Sequence, residues 1–337
     1  MREPLPEWPM FGLPDDVRPA LRQATAAGKP MILATLMSVD GGGPRPPGTQ
    51  MVFAPYDENG DGFVLGYFSG GCVESDVADH ADACLADGQT RRLVYGQDSP
   101  WPDIQLLCGA RIEILLERLE PEDPALAILL AAETERRPVV WVTDGTQRQC
   151  VTPGQVQTWD GAITRPYDPV PRLVVFGSDP TALAIAQLGA QSGFETTFVR
   201  PKGPESGPPI LHVAYRRDEA QAALDAIGCD AWTHIAIATH NLDTDREALA
   251  AALPSAAAYV GLLGARKRLP ERLAPLRAAG VPEETLTRVH APIGLDIGGK
   301  APWEVAVSVI GEIMALRHAR APQTPREPVS KRDKADA

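Results

Sequence analysis

The second half of the chain alternates short apolar segments with longer helical stretches, and this alternation constrains the fold more than any other feature. Apolar runs of strand length occur at 173–176, 195–199, 234–238 and 257–263. Strands joined through helices pair in parallel, and strands that are apolar throughout are covered on both faces. The pattern therefore predicts an α/β fold, a doubly wound parallel sheet, over residues 171–320.

The first half of the chain has a different order of predicted strands and helices. Predicted strands at 50–54 and 63–68 enclose a polar turn, as in a hairpin, and a helical stretch at 73–86 follows directly. We therefore expect an α+β domain over residues 1–165. The turn-rich stretch 150–170 marks the boundary between the two domains.

Composition limits what the chain can bind. The 337 residues carry 32 Lys plus Arg against 44 Asp plus Glu, a net charge of −12, which disfavours nucleic acid as a partner. No apolar run approaches the roughly 18 residues of a membrane span, and the acids and prolines at the start are unlike a secretory signal, so we expect neither feature. Five scattered cysteines fit neither a disulfide framework nor structural zinc, so a cytoplasmic protein is expected. The polar residues 321–337 predict a disordered tail.

Ser69-Gly70-Gly71-Cys72 is the first candidate site, between a predicted strand and a predicted helix. Glycines permit positive φ, so successive N–H groups can converge on an anion. Cys72 would begin the helix, where a thiolate is favoured and can attack, carry a persulfide or bind a soft metal. The alternative is a small buried cysteine in a tight turn, and Glu74 and Asp76 are near enough to oppose ionisation.

Two further features belong to the first half. Prolines on both sides of Arg45, in the segment 43–48, stiffen the backbone and can present one guanidinium to a phosphate or carboxylate. The alternative is a rigid loop with a solvated arginine. Cys108 precedes a glycine and can face the same pocket as Cys72, although packing is the simpler interpretation of Cys108 alone.

The strand–turn–helix at 174–182 occupies the position of the dinucleotide-binding signature Gly-x-Gly-x-x-Gly. Gly177 matches the first glycine, but Asp179 and Ala182 stand at the second and third positions. An aspartate there would crowd and repel a pyrophosphate, and Arg200 replaces the acid that binds an NAD ribose. The turn therefore predicts this fold without ordinary NAD binding.

Three loops follow later strands, at the edge where doubly wound sheets bind ligands. Basic residues opening a helix at 266–268 oppose the preference of the helix dipole, and a bound anion would explain them. Turn geometry and helix capping are the alternative for about half of these residues. The three loops are Thr239-His240-Asn241, residues 261–266 and residues 292–298.

These motifs together resemble the XdhC/CoxI family, maturation factors for xanthine dehydrogenase and related molybdenum hydroxylases. The similarity runs in order from about residue 30 to residue 318, nearly the whole chain. The earlier motifs resemble the family's N-terminal domain, and the later ones resemble its Rossmann-like C-terminal domain. The sequence departs from the family at Asp179-Pro180, where a Gly-x-Gly-His-type turn is usual. The matching strings are Gly43-Pro44-Arg45 with Gly48, Ser69 to Glu74, Cys108-Gly109, Thr239-His240-Asn241, residues 259–264 and residues 290–298.

The resemblance implies a chaperone without turnover of its own. Such proteins hold the molybdenum cofactor, support its sulfuration and insert it into an apo molybdenum hydroxylase of the xanthine dehydrogenase or aldehyde oxidoreductase type. The cofactor would be molybdopterin in the cytosine dinucleotide form, with a cysteine desulfurase as a second partner and a homodimer as the assembly. Cys72 corresponds to the family's cysteine, a candidate molybdenum ligand, and Cys108 to the second one. The expected cofactor-binding residues are Arg45, Ser69, Gly70, Gly71, Cys72, Cys108, Gly177, Thr239, His240, Asn241, Gly264, Arg266, Arg268, Gly294 and Asp296.

A hypothesis from another class remains open, an NAD(P)-dependent oxidoreductase built on the C-terminal domain. The incomplete glycine signature and the missing acid after the second strand count against it.

Overall fold

The computed structural model describes residues 5–43, 45–54, 62–97, 99, 106 and 109–320. It forms two compact units that divide between Pro169 and Val170. The predicted tail, 321–337, and two residues of the predicted motifs, Pro44 and Cys108, lie outside the described residues.

The first unit is built on an antiparallel sheet of five strands, in the order β3-β2-β1-β5-β4. The central strand, β1, is apolar along most of its length and is paired on both sides, which accounts for its burial. The strands are β1 (Met31–Asp40), β2 (Gln50–Ala54), β3 (Phe63–Leu65), β4 (Arg91–Tyr95) and β5 (Arg111–Leu119).

One face of this sheet is covered by α2 (Glu74–Asp87), whose Val77, Ala81 and Cys84 recur at helical spacing and are buried in the core. The other core contains α1 (Arg18–Ala26), α3 (Pro124–Thr134) and Trp141. A second antiparallel sheet, in the order β7-β6-β8, completes the unit. Its strands are β6 (Val139–Thr143), β7 (Arg148–Val151) and β8 (Ile163–Tyr167).

The second unit is a parallel sheet of six strands in the order β11-β10-β9-β12-β13-β14. Numbered from β9, the order is 3-2-1-4-5-6, which is that of a doubly wound dinucleotide-binding fold. The predicted fold class is confirmed. The strands are β9 (Arg172–Gly177), β10 (Glu195–Val199), β11 (Val213–Arg216), β12 (Thr233–Ala238), β13 (Tyr259–Leu262) and β14 (Val289–His290).

Helices cover both faces of the parallel sheet. Successive side chains of β9 point to opposite faces, so this strand contributes to two separate cores. Leu173 and Val175 pack in one core, and Val174 and Phe176 pack in the other. Among the described residues, no helix combines the length and apolar character that crossing a bilayer requires. The helices are α4 (Pro180–Gln191), α5 (Ala220–Ile227), α6 (Leu242–Ala252), α7 (Leu269–Ala278), α8 (Glu283–Leu286) and α9 (Pro302–Arg320).

Candidate functional site

The segment Ser69-Gly70-Gly71-Cys72 before α2, called the glycine turn below, is organised around the side chain of Glu74. This residue is only 2% exposed. The turn does bring N–H groups together, as the sequence predicts, but they converge on a carboxylate of the chain itself. An external anion must therefore bind beside this turn or displace Glu74. The carboxylate accepts hydrogen bonds from the N–H groups of Phe68 (2.8 Å), Ser69 (2.6 Å) and Gly71 (2.8 Å), and from the Ser69 hydroxyl (2.7 Å).

The environment of Glu74 favours its ionised form. Burial raises the pKa of this carboxyl, but the hydrogen bonds from Ser69 and Phe68 outweigh burial, and the net shift of the pKa is downward. Gly70 and Gly71 have φ of +82° and +115°, the left-handed region that favours glycine, and a Cβ at either position would meet nothing within 4 Å. These glycines are therefore required by backbone conformation and leave open space above the turn.

Cys72 is exposed and precedes Val73, the N-cap of α2. The prediction that Cys72 occupies the first turn of the helix is wrong. The helix α2 begins at Glu74, and Cys72 lies one residue before the N-cap. Its exposure also excludes the buried packing role that the sequence left open. The N–H of Cys72 donates to the Ser69 hydroxyl oxygen at 2.9 Å, which fixes the backbone of this residue.

The other described cysteines fit the structural role expected for them. Cys84 and Cys150 are buried, and Cys229 is partly buried. Burial raises the pKa of the Cys84 thiol, and it raises the pKa of Cys150 to about 12. Within the described part of the chain, Cys72 is therefore the one cysteine that is exposed.

A cavity of about 340 Å³ opens beside the glycine turn. Its wall includes Arg45, Gly70 and Gly71, so the structure brings together three residues that the sequence singled out separately. The cavity is also lined by Tyr67, Glu74 and an N-terminal segment that includes Asp15.

Arg45 is held in place from two sides. Its guanidinium carbon lies 4.9 Å from the centre of the Tyr67 ring, and one guanidinium nitrogen pairs with the carboxylate of Asp15. The loop is also anchored at Gly48, where φ is +87° and a Cβ would come within 3.3 Å of the carbonyl oxygen of Thr164. The side chain is 21% exposed, so Arg45 is a fixed cation and the solvated-arginine alternative is wrong.

Sequence reasoning missed Arg165, on β8, which contacts the same carboxylate. A guanidinium nitrogen of Arg165 lies 3.2 Å from the second oxygen of Asp15. The Nε atoms of Arg45 and Arg165 are both buried and have no hydrogen-bond partner in the described part of the chain. Arg165 belongs to the stretch that the sequence assigns to the domain boundary, and nothing in its local sequence points to Arg45.

In the second unit, Gly177 ends β9 at the point where the strand order reverses, which is where doubly wound sheets bind ligands. Asp179 is the N-cap of α4, and one of its carboxylate oxygens accepts the N–H of Ala182 at 2.9 Å. The other oxygen lies 2.8 Å from Nε2 of His240. A carboxylate therefore occupies the helix N-terminus that would otherwise hold a pyrophosphate, in agreement with the sequence.

We expect Gly177→Ala to lower the free energy of unfolding by about 1–3 kcal/mol, the usual cost of overpacking. A Cβ at Gly177 would lie 2.2 Å from the Cβ of Ala182 and 2.9 Å from the carbonyl oxygen of Ala238. Urea denaturation measures the effect, with Gly154→Ala as the control because a Cβ there meets nothing within 4 Å. Ala182→Gly should partly restore stability to the variant; equal stability of Gly177→Ala and the control would contradict the close approach.

Two members of the Thr239-His240-Asn241 loop support structure. Asn241 caps α6 by accepting the N–H groups of Asp243 and Thr244, each at 3.0 Å. Thr239 donates its hydroxyl to the buried carboxylate of Asp245 at 2.6 Å. The capping alternative therefore accounts for Thr239 and Asn241, whereas the His240 side chain is 61% exposed and has φ of +56°.

Gly264 makes room for an arginine of its own unit. A Cβ at Gly264 would lie 2.7 Å from a guanidinium nitrogen of Arg272. Arg272 pairs with Asp245 at 3.2 Å and donates to the carbonyl oxygen of Leu263 at 2.6 Å. This contact explains the glycine through packing, without a ligand.

The remaining predicted residues of the second unit differ in exposure. Arg266 and Arg268 lie exposed in one 3₁₀ turn before α7, and neither has an ion-pair partner within the described ranges. Asp296 is also exposed. Gly294 is enclosed, because its N–H donates to Glu312 at 2.9 Å and a Cβ would lie 2.2 Å from the Ser308 hydroxyl oxygen.

Comparison with known proteins identifies the family of this chain. The model of the XdhC and CoxI family matches residues 24–96, and that of the XdhC Rossmann domain matches residues 173–313. The molybdenum cofactor insertion chaperone PaoD of Escherichia coli strain K12 is 32% identical over 311 residues, 90% of each chain. The chain belongs to the XdhC and CoxI family. This confirms the resemblance inferred from the motifs, and Cys108 lies outside both matched ranges.

Other similar proteins extend over most of this XdhC/CoxI-family chain. A probable xanthine dehydrogenase subunit of Bacillus subtilis strain 168 is 26% identical over 333 residues, covering 85% of this chain and 93% of the relative. A crystal structure of a xanthine dehydrogenase from Bacillus halodurans superposes with a TM-score of 0.72. That chain is 22% identical, with 90% of this chain and 96% of the other covered, and it supports the fold alone.

The described residues do not form a protein-only metal site. No group of three or more His, Cys, Asp or Glu side chains within them is placed to hold a metal ion.

Proposed function

We propose that this protein binds the molybdenum cofactor, supports its sulfuration and inserts it into a molybdenum hydroxylase of the xanthine dehydrogenase or aldehyde oxidoreductase type. The observation that carries the proposal is the 32% identity over 90% of both chains to PaoD, a molybdenum cofactor insertion chaperone. The Bacillus subtilis relative bears the name of a probable xanthine dehydrogenase subunit, which supports the same class of client.

The cavity of the first unit suits the anionic end of such a cargo. Its volume of about 340 Å³ falls in the usual range of small-molecule sites, roughly 300–1,000 Å³. Arg45 supplies a fixed guanidinium, and charge-assisted bonds to phosphate are among the strong polar contacts. Gly70 and Gly71 form the rim without side chains, with Ser69 and Cys72 next to them.

Cys72 is the proposed contact to the metal end of the cargo, because its side chain is exposed and cysteine sulfur is a soft ligand that can also carry sulfur. Cys108 is the proposed second cysteine by its motif position alone. In the second unit, we propose the exposed His240, Arg266 and Arg268 as contacts to phosphate or base. Gly177, Thr239, Asn241, Gly264, Gly294 and Asp296 then shape and support these loops.

The finer parts of the proposal concern cofactor form and partners. A cytosine dinucleotide would add a pyrophosphate, for which exposed arginines are suited. A cysteine desulfurase would supply the sulfur, and a homodimer is the proposed assembly. Co-purification from cells expressing a client hydroxylase, followed by molybdenum and pterin analysis, tests the cargo. A purified chain without molybdenum or pterin, able to bind neither in vitro, would contradict the proposal.

An NAD(P)-dependent oxidoreductase is the second candidate, favoured by the dinucleotide-type strand order. The carboxylate of Asp179 at the N-terminus of α4 counts against it, since it takes the pyrophosphate position. Equilibrium titration separates the two functions. Micromolar affinity for NAD(P)H together with no affinity for molybdopterin would reverse the ranking.

We expect Arg45→Ala to weaken molybdopterin binding about tenfold or more, since a hydrogen bond to a charged group is worth ~1.5–3 kcal/mol. Isothermal titration of the purified chain measures the dissociation constant. Arg22→Ala is the control, because Arg22 pairs with Glu133 away from the cavity lining in the same unit. An unchanged dissociation constant for Arg45→Ala would remove this residue from the site.

A further inference from the structure

We infer that Arg45 and Arg165 form a two-arginine clamp for a phosphate or pyrophosphate group, and that Asp15 is an internal competitor for this clamp. The inference rests on the proposed function only for the identity of the cargo. The clamp itself is argued from the geometry of the first unit.

The two guanidinium groups converge on one carboxylate. Arg45 contacts one oxygen of Asp15, and Arg165 lies 3.2 Å from the other. Arginine pairs of this kind suit planar or tetrahedral oxyanions, because each guanidinium offers several N–H donors in a fixed fork. A carboxylate bridging two arginines therefore marks where a phosphate can bind.

The clamp has donors and charge that Asp15 does not satisfy. The Nε atoms of both arginines are buried without a hydrogen-bond partner among the described residues, and such atoms are costly to leave unpaired. Two guanidinium groups against one carboxylate also leave one positive charge. A phosphate brings more acceptor oxygens and more negative charge than a carboxylate, so it matches this excess.

Among the described residues, the neighbouring acids do not neutralise the clamp. Glu74 lines the same cavity, but its carboxylate is committed to the N–H groups of the glycine turn. Asp16 follows Asp15 in the chain, but it pairs with Arg18 at 2.7 Å.

Both arginines are held in place before any ligand arrives. Arg45 stacks on Tyr67, and the guanidinium carbon of Arg165 lies 5.6 Å from the centre of the Tyr167 ring. Their side chains are 21% and 22% exposed, whereas that of Asp15 is 57% exposed. The two guanidinium groups are thus fixed, and the Asp15 carboxylate is the more exposed partner. A ligand can therefore displace this carboxylate without moving the arginines.

Asp15 ends a segment that is anchored beside the cavity. The N–H of Gly66 donates to the carbonyl oxygen of Phe11 at 2.8 Å, and a Cβ on Gly12 would be 3.2 Å from the Tyr67 side chain. Because this anchor keeps the carboxylate close, Asp15 competes at a high effective concentration. An internal competitor lowers the apparent affinity for an anion and eases its release, which suits a protein that must deliver its cargo.

The test is isothermal titration of the full chain with inorganic pyrophosphate. Asp15→Asn should tighten pyrophosphate binding about tenfold or more relative to the unsubstituted chain, in line with the value of a charged hydrogen bond. Adding Arg165→Gln to Asp15→Asn should remove this gain. Glu120→Gln is the matched control: it makes the same charge change in the same unit, where Glu120 pairs with Arg118 at 2.8 Å.

Thermal melting establishes that each variant is folded, and Asp15→Ala replaces Asp15→Asn if the latter does not fold. Three outcomes would overturn the clamp: unchanged pyrophosphate affinity in Asp15→Asn, an equal gain in Glu120→Gln, or retention of the gain with Arg165→Gln. An equal gain in Glu120→Gln would mean that net charge governs binding, and retention of the gain with Arg165→Gln would mean that Arg165 takes no part in it.

A parallel titration with purified molybdopterin separates the clamp from the proposed function. A pyrophosphate response as expected, with no molybdopterin binding by any variant, would support the clamp and contradict the cargo. Molybdopterin binding that is insensitive to both Asp15→Asn and Arg165→Gln would contradict the clamp and leave the cargo in place.

Discussion

Replacing Glu74 by glutamine should lower the free energy of unfolding by about 2–4 kcal/mol, because hydrogen bonds to a buried charged group are worth ~1.5–3 kcal/mol each. The carboxylate receives the N–H groups of Phe68, Ser69 and Gly71. Glutamine keeps one acceptor oxygen but turns an NH₂ donor toward these N–H groups. The glycine turn at the rim of the cavity should therefore loosen as stability falls.

The same substitution should change how stability depends on pH. Since the folded-state pKa of Glu74 is lowered, its stabilisation is complete above the unfolded pKa of about 4.3 and is lost as pH falls through the folded pKa. Urea denaturation at pH 7 and at successively lower pH values should show that the Glu74→Gln deficit shrinks as the medium becomes acidic. Asp79→Asn, an exposed residue of α2, is the control. A deficit that stays constant with pH would show that the carboxylate is not the source.

Much of the fold was predictable because its apolar runs are bounded by clear turn signals. The predicted bounds of β2 and β10 are those observed. The strands that the sequence did not predict, β7, β8, β11 and β14, have two to five residues each and are only partly buried. In β8, Pro166 breaks the sequence pattern of a strand, yet a proline is tolerated there because β8 is an edge strand of its sheet.

The candidate site was predictable only where one short segment carries the signal. The glycine turn and the stiffened loop around Arg45 are local features, and the structure brings them to one cavity. Their partners are not local: Asp15 is 30 residues from Arg45 and 150 residues from Arg165. A converging set of N–H groups can be inferred from glycines, but only packing shows that Glu74 already fills it.

Cys72→Ser should leave the chain folded and remove the role proposed for its thiol. Serine is nearly isosteric with cysteine, and at an exposed position its hydroxyl stays hydrated, so the free energy of unfolding should change by no more than about 0.5 kcal/mol. Serine is a poor ligand for soft metals and cannot carry a persulfide. We therefore expect a client hydroxylase matured with Cys72→Ser to lack its cofactor, or to hold a cofactor without the sulfido ligand.

The measurement is the activity, molybdenum content and cyanide-releasable sulfur of a client hydroxylase co-expressed with each variant. Cys108→Ser is measured beside it, and Cys229→Ser serves as a control because Cys229 is partly buried in the second unit. Loss of molybdenum with Cys72→Ser would assign the thiol to holding the cofactor, whereas loss of sulfur alone would assign it to sulfuration. Normal molybdenum and sulfido content in the client would contradict both roles. Because the Cys72 side chain is exposed, a loss of either could not be attributed to a packing defect.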